Sequence, residues 1–183
     1  MYLQPLISDD RERISRLLRQ GSVFNHGEIQ VALEVIDAAL NEAGKKDYQV
    51  FCAFDNDRNI SGLICFGPIP MTDRCYDLYW IKVDEAFSRK GVGGTLLAFM
   101  EECVAREGAR RIYVETSSTA AYQAARSFYK KHGYRLVCSL KDFYREGDHK
   151  MIFMKSFGSV HWAEVPSRSL KRICSAINSQ FPE

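Results

Sequence analysis

Residues 77–97 read DLYWIKVDEAFSRKGVGGTLL, and within them the hydrophobic period changes from that of a strand to that of a helix. Tyr76 to Val83 is aromatic and β-branched, as a strand requires, whereas Leu96, Leu97, Met100, Cys103 and Val104 recur at helical spacing. The join is Ser88-Arg89-Lys90-Gly91-Val92-Gly93-Gly94-Thr95. Glycines let backbone approach an anion closely, successive amides at a helix N-terminus point at it, and the helix dipole favours negative charge there. Arg89 and Lys90 add two local positive charges. The same string also serves as a tight strand-to-helix turn with no ligand at all. Two better-known phosphate patterns are absent: there is no GxxxxGKS/T, and the dinucleotide fingerprint needs a glycine where Leu96 stands.

Toward the N-terminus, Tyr48 to Phe54 and Ile60 to Phe66 are β-rich runs around Asp55-Asn56-Asp57-Arg58-Asn59, which predicts an antiparallel hairpin. Before it, the spacing of Ile29, Ala32, Leu33, Ile36, Ala39 and Leu40 predicts a helix opening at Asn25 with Glu28 three residues on. A shorter helix burying Ile14, Leu17 and Leu18 follows a capping-box pair at Asp9 and Glu12 and stops at Gly21, after a first strand over Tyr2 to Ile7. Toward the C-terminus, Gly108 ends the helix that the loop begins, Arg111 to Thr116 is the next strand, and Ala120 to His132 the next helix, closed by Gly133. Tyr134 to Leu140 and Lys150 to Lys155 read as two last strands around a polar loop, Lys141 to His149. Residues 1–155 thus form one domain, and 156–183 an extension whose Leu170, Ile173, Cys174 and Ile177 suit one helix face.

A chain of 183 residues that is 46% apolar builds one sizeable core. Its 25 basic and 23 acidic residues nearly cancel, so no global field directs it to nucleic acid or to an anionic membrane. No apolar run approaches the roughly 20 residues of a membrane span, and the start MYLQPLISDDRER lacks a leader pattern, so a cytoplasmic protein is expected. Cys52, Cys65, Cys75, Cys103, Cys138 and Cys174 lack any CxxC or Cys/His ligand spacing, so they are expected to be reduced core residues and no metal is expected.

The stretch from Asp77 to Leu97 resembles the central motif of the GNAT superfamily of acetyltransferases: a hydrophobic strand, Val-Asp/His-Pro-x-Phe/Tyr, then Gln/Arg-x-x-Gly-x-Gly/Ala. Downstream, Ala125-Arg126-Ser127-Phe128-Tyr129 followed by Lys130-Lys131-His132-Gly133-Tyr134 resembles the family's Ala-x-x-Leu/Phe-Tyr-x-x-x-Gly-Phe/Tyr segment. The resemblance in element order covers Leu3 to Lys155. It implies an α/β fold of the α+β sandwich kind, with a mixed, mostly antiparallel central sheet of about six to seven strands and helices on both faces. It implies acetyl-CoA as co-substrate, with the main chain of Ile81 and Val83, flanking Lys82, holding the acetyl-pantetheine arm. Amides from Arg89 through Lys90, Gly91, Val92, Gly93 and Gly94 to Thr95 would hold the pyrophosphate, with Ala125 and Tyr122 beside the arm. Ser88 departs from the usual Gln or Arg, Glu85 from the usual proline, and Tyr122 from an asparagine many relatives use on pantetheine.

Transfer of an acetyl group from a thioester to an amine needs a neutral amine, a stabilised oxyanion and a proton for the departing thiolate. The resemblance makes Tyr129 the acid; a phenol is protonated at neutral pH and carries its donor on a rigid apolar body. Core packing is the other reading of a helical tyrosine beside Phe128. Glu115 is the candidate base, near the C-terminal end of a buried strand where open α/β sheets bind ligands; alternatively it pairs with a basic residue on a covering helix. Asp77, Tyr79 and the loop Asp142 to His149 are further groups where an acceptor enters, and His26 and Glu28 begin a helix that in this family lines the acceptor groove. The expected reaction is direct transfer to a primary amine of a small molecule, favoured by acidic groups around the groove. The alternatives are a protein N-terminus or lysine, or a non-catalytic acyl-CoA sensor. Either a monomer or a homodimer is compatible with the sequence, since the apolar face at Leu170, Ile173 and Ile177 docks on its own domain or on a second copy.

Overall fold

The computed structural model describes residues 1–21, 24–41, 44 and 46–157. The chain runs β1 (Tyr2–Pro5), α1 (Arg11–Arg19), α2 (His26–Leu40), β2 (Gln49–Phe54), β3 (Ile60–Pro68), β4 (Cys75–Val83), α3 (Val92–Arg106), β5 (Arg111–Ser117), α4 (Gln123–Lys131), β6 (Arg135–Arg145) and β7 (Asp148–Ser156). The strands make one sheet in the order β1-β2-β3-β4-β5-β7-β6, parallel between β4 and β5 and antiparallel elsewhere. A parallel pair needs a crossover, and α3 is that crossover. The expected mixed sheet with helices on both faces is what forms.

Period-2 alternation divides the core. Phe51, Ala53, Ile64 and Phe66 face α3 together with Leu96, Leu97 and Met100, while Val50, Cys52, Phe54, Leu63 and Cys65 face α1 and α2. β2 and β3 are covered on both sides, which explains their near-continuous apolar runs. Cys52 and Cys65 are buried and form no disulfide, and burial first, then the charge of Asp10, pushes the Cys52 thiol up to about 12 against the pull of Arg13. No helix among the described residues is long and apolar enough to cross a membrane.

Asn25 caps α2 as its sequence suggests: its side chain accepts from the Glu28 amide at 3.0 Å, and Glu28 accepts from the Asn25 amide at 2.7 Å. Asn25→Ala is expected to cost about 1 kcal/mol of stability, readable as a lower urea midpoint with unchanged slope. The matching pair at Asp9 and Glu12 does not form. A 3-10 turn at Ser8–Asp10 precedes α1, whose N-cap is Asp10, and the buried Asp10 carboxylate holds Arg13 at 3.2 Å instead.

The helix expected over Ala120 to His132 is split into a 3-10 turn at Ala120–Tyr122 and α4. Gly133, at φ 85°, ends it, with Tyr134 N donating to Tyr129 O and Gly133 N to Lys130 O, the paired bonds of a Schellman stop. The polar loop expected over Lys141 to His149 is mostly strand. Asp142 bulges out at φ 53°, its amide donating to His149 Nδ1 and its carboxylate accepting from the Gly147 amide, so side-chain bonds stand in for ladder bonds that a polarity reading cannot foresee. The helix face read at Leu170, Ile173, Cys174 and Ile177 lies outside the described residues.

Candidate active site

β4 and β5 are bonded only from Cys75–Leu78 to Arg111–Val114, after which they part. The cause is visible in β4's other edge: the register against β3 passes from Cys65↔Trp80 to Phe66↔Leu78, skipping Tyr79, so Tyr79 is a bulge that bends the strand at the fork. Beyond Leu78, β4 has a strand neighbour on β3's side alone. The backbone of Tyr79 to Val83 therefore presents an unpaired edge to a cleft of about 730 Å³.

Ile81, Lys82, Val83, Glu115, Tyr122, Ala125 and Tyr129, which the sequence scatters over 49 positions, all line this cleft. Lys82 contributes main chain, because its side chain turns away to donate to Gln20 O at 2.9 Å, and burial lowers its pKa. Ala125 leaves room where a larger residue of α4 would fill the space. Tyr122 does not stand free: its hydroxyl donates to Glu28 Oε1 at 2.6 Å, so the carboxylate that caps α2 also ties that helix to the turn before α4, across the cleft.

Ser88 to Thr95 forms the turn at the far end of β4. Gly91 is the N-cap of α3 at φ 87°, a left-handed conformation that a side chain strains, and Arg89 sits at φ 59°. The first helical bond runs from Thr95 N to Gly91 O, so the amides of Val92, Gly93 and Gly94 have no helical acceptor and no side chain caps them. The amides of Lys90 and Thr95 are already bonded, to Phe87 O and Gly91 O, so of the expected run they are spent, and the three adjacent amides of α3's first turn, Val92, Gly93 and Gly94, stand open beside those of Arg89 and Gly91. A Cβ on Gly93 would sit 3.4 Å from the Phe128 ring, and one on Gly94 3.3 Å from the His132 ring. These two glycines thus serve the approach of α3 to α4 as well as the loop. Val92 is a core residue, and Ser88 is exposed.

Tyr129 is buried between the Phe128, Tyr134 and Phe153 rings, and burial pushes its hydroxyl well above the ordinary phenol value of about 10. It remains a neutral donor across the working pH range. Glu115 is half-exposed and its carboxylate meets Lys150 Nζ at 2.5 Å. The basic partner is therefore on the neighbouring strand β7, not on a covering helix. Asp77, two residues before the bulge, lies on the same face of the sheet as Glu115; burial first, then repulsion from Glu115, raise its pKa to about 6 against the pull of Lys150.

Other wall residues were hidden from a sequence reading. Arg126, within the quoted second motif, is buried and its Nη1 donates to Ser117 O at 2.6 Å and Thr119 O at 2.7 Å, clamping the β5–α4 connection. Ser117 in turn donates to the buried Asp148 at 2.5 Å, fixing the hairpin that brings Tyr144 and Arg145 to the cleft. The polar pairs are 9 and 31 positions apart: the turn from β5 into α4 closes the first, and only the adjacency of β5 and β7 in the sheet makes the second pair neighbours.

Residues 46–136 match the family model described as an acetyltransferase (GNAT) domain. Among solved structures, a GNAT-family protein from Desulfovibrio desulfuricans is 32% identical with a TM-score of 0.80, over 85% of this chain and 98% of that one. An aminoglycoside 6'-N-acetyltransferase in complex with coenzyme A is 18% identical with a TM-score of 0.67, over 91% and 100%. A ribosomal-protein alanine N-acetyltransferase from Escherichia coli is 14% identical with a TM-score of 0.69, over 90% and 99%. These last two share the fold. No curated protein matches the chain significantly by sequence. A fork in the sheet beside an open amide turn, a domain-model match spanning both, and a relative one-third identical over nearly its whole length lead to one conclusion: the chain belongs to the GNAT family of acetyltransferases.

Proposed function

We propose that the protein transfers the acetyl group of acetyl-CoA to a primary amine of a small molecule, by direct attack within a ternary complex. The observation that carries this reading is the fork itself: the unpaired edge of β4 runs from the free amides of α3 along a cleft lined by Tyr129, Glu28 and Glu115, beside an adjoining recess that also holds Asp77. An extended arm bearing amides fits an unpaired strand edge as another strand would. Its pyrophosphate fits the amides of Val92, Gly93 and Gly94, whose partial positive charge is reinforced by Arg89 and Lys90 in the absence of a long polar side chain at Ser88.

With the arm so held, the thioester lies at the fork, and Tyr129 protonates the departing sulfur. Desolvation disfavours a thiolate in this cleft just as it disfavours the Tyr129 phenolate, so the burial that raises one pKa raises the other and the proton transfer is not made harder. On the acceptor's side stand Glu28, Asp77 and Glu115, with Tyr79, Trp80 and Tyr144 as aromatic walls. Carboxylates interleaved with π-faces suit a compact cation, and Glu115, with Lys150, forms the polar wall nearest the fork.

Incubation of the protein with acetyl-CoA and an extract of small metabolites, reading free thiol and product masses, tests this. The expected result is thiol release accompanied by a mass gain of one acetyl group on an amine. Acetylation of a protein and of no metabolite would replace the small-molecule acceptor with a protein amine; cofactor binding without any acetyl transfer would leave the sensor reading.

A further inference from the structure

We infer that the hydrogen bond between Tyr122 and Glu28 is a bar that selects the acceptor. It admits an amine at the end of a narrow, unbranched chain and turns away one borne on a ring, an inference that rests on the acetyltransferase reading above. The two residues are 94 positions apart and line the same cleft, where the Tyr122 phenol donates to Glu28 Oε1 at 2.6 Å. Among the described residues, no other hydrogen bond joins α2 to the connection between β5 and α4. Glu28 lines both the cleft and an adjoining recess of about 500 Å³, whereas Tyr122 lines the cleft alone. The bond thus stands at the boundary between the space for the pantetheine arm and the space left for the acceptor.

The walls that it joins are not equally anchored. On the Tyr122 side, Arg126 clamps the carbonyls of Ser117 and Thr119, and Thr119 is the N-cap of the 3-10 turn that carries Tyr122. On the other side, α2 buries no residue before Ala32, and its first turn meets the core only through the partly buried Ile29. Asn25, Gly27, Glu28 and Val31 form one wall of the recess, so the bond sets how close that wall stands to the fork. Glu28 suits the anchoring because its second oxygen accepts from the Asn25 amide at 2.7 Å, which locks the carboxylate onto the helix it holds. A phenol-to-carboxylate bond is charge-assisted. Burial, then the bond and charge of Glu28, raise the Tyr122 pKa, so its hydroxyl stays a donor at any working pH.

The bond also divides the duties of Tyr122. With the arm in the cleft the ring lies beside it, but the single hydroxyl proton is spent on α2 and not on pantetheine. Here the chain parts from relatives that place an asparagine at this position. The acceptor is left the recess, walled further by Trp80 and Tyr144. An extended chain passes under the bar to the fork, and a sugar ring does not.

Tyr122→Phe removes the bond and keeps the ring. With 1,3-diaminopropane and kanamycin as probe acceptors, the unaltered protein is expected to prefer the diamine in kcat/KM. Tyr122→Phe is expected to lower that preference at least about fivefold, with coenzyme A affinity by calorimetry within about twofold of its original value. In a Glu28→Ala background the same substitution should change the preference less than about 1.5-fold, because the partner is already gone. A preference for kanamycin in the unaltered protein, an unchanged preference in Tyr122→Phe, or an equal change in both backgrounds would overturn the inference while sparing the acetyltransferase reading. A loss of coenzyme A affinity beyond about fivefold would also overturn it, by assigning the hydroxyl to the arm. If neither probe is acetylated, calorimetric affinities of the coenzyme A complex for the two amines take the place of kcat/KM, and an unchanged ratio or no binding of either overturns the inference. Transfer to no amine at all is the separate failure of the acetyltransferase reading.

Discussion

Tyr129→Phe is expected to lower kcat for acetyl transfer by about 10²- to 10³-fold, with acetyl-CoA affinity within about twofold of its original value. The substitution removes one oxygen and leaves the ring where it is, edge-on to Phe128 and tilted against Tyr134 and Phe153, so the packing of α4 on the sheet is preserved. The hydroxyl makes no hydrogen bond to a described residue that its loss would orphan. What disappears is the donor at the fork, where sulfur must leave as an anion in a cleft that burial makes hostile to charge. A factor of 10² corresponds to about 2.7 kcal/mol of barrier, the scale of one well-placed proton donor. Steady-state kinetics with calorimetric binding separate the two parameters. Unchanged turnover would reduce Tyr129 to the packing role that its surroundings also allow.

Gly93→Asp is expected to weaken coenzyme A binding more than about 100-fold with the fold intact. Gly93 is helical, not left-handed, so an L-residue meets no backbone strain there, and its Cβ falls 3.4 Å from Phe128 and 3.5 Å from Val83, ordinary contact distances. An acid in the first turn of α3 even complements the helix dipole, so stability is not what the substitution tests. Its carboxylate, carried in the same first turn as the amides of Val92, Gly93 and Gly94, repels a doubly charged pyrophosphate from them. Calorimetric titration with coenzyme A, alongside a melting curve, reads the two effects apart. Normal binding by this variant would remove the α3 turn from the cofactor site.

The contrast between Gly91 and its neighbours shows how far local sequence reaches. A glycine-rich turn before a helix is legible because glycine tolerates positive φ, and Gly91 has it. The chain does not announce that Gly93 and Gly94 are small because Phe128 and His132 lie against them, since that contact is between helices more than 30 residues apart. The hairpin over Asp142 to His149 makes the same point from the other side. Polar, charged residues there suggest a loop, yet pairing of β6 with β7 and two backbone-to-side-chain hydrogen bonds make it sheet.

The sequence by itself determined the order of elements, the two segments resembling GNAT motifs, the Asn25 cap of α2, the Gly133 stop of α4, and the presence of a turn able to bind an anion. These are local properties, written in period, capping chemistry and glycine placement within about a dozen residues. Only the tertiary structure decided which groups meet at the fork. The bulge at Tyr79 parts β4 from β5, the strand order sets Lys150 against Glu115, and Glu28 reaches Tyr122 across the cleft. Protonation and availability depend on burial and on partners that approach from distant parts of the chain, so they belong to the fold and not to any segment of it.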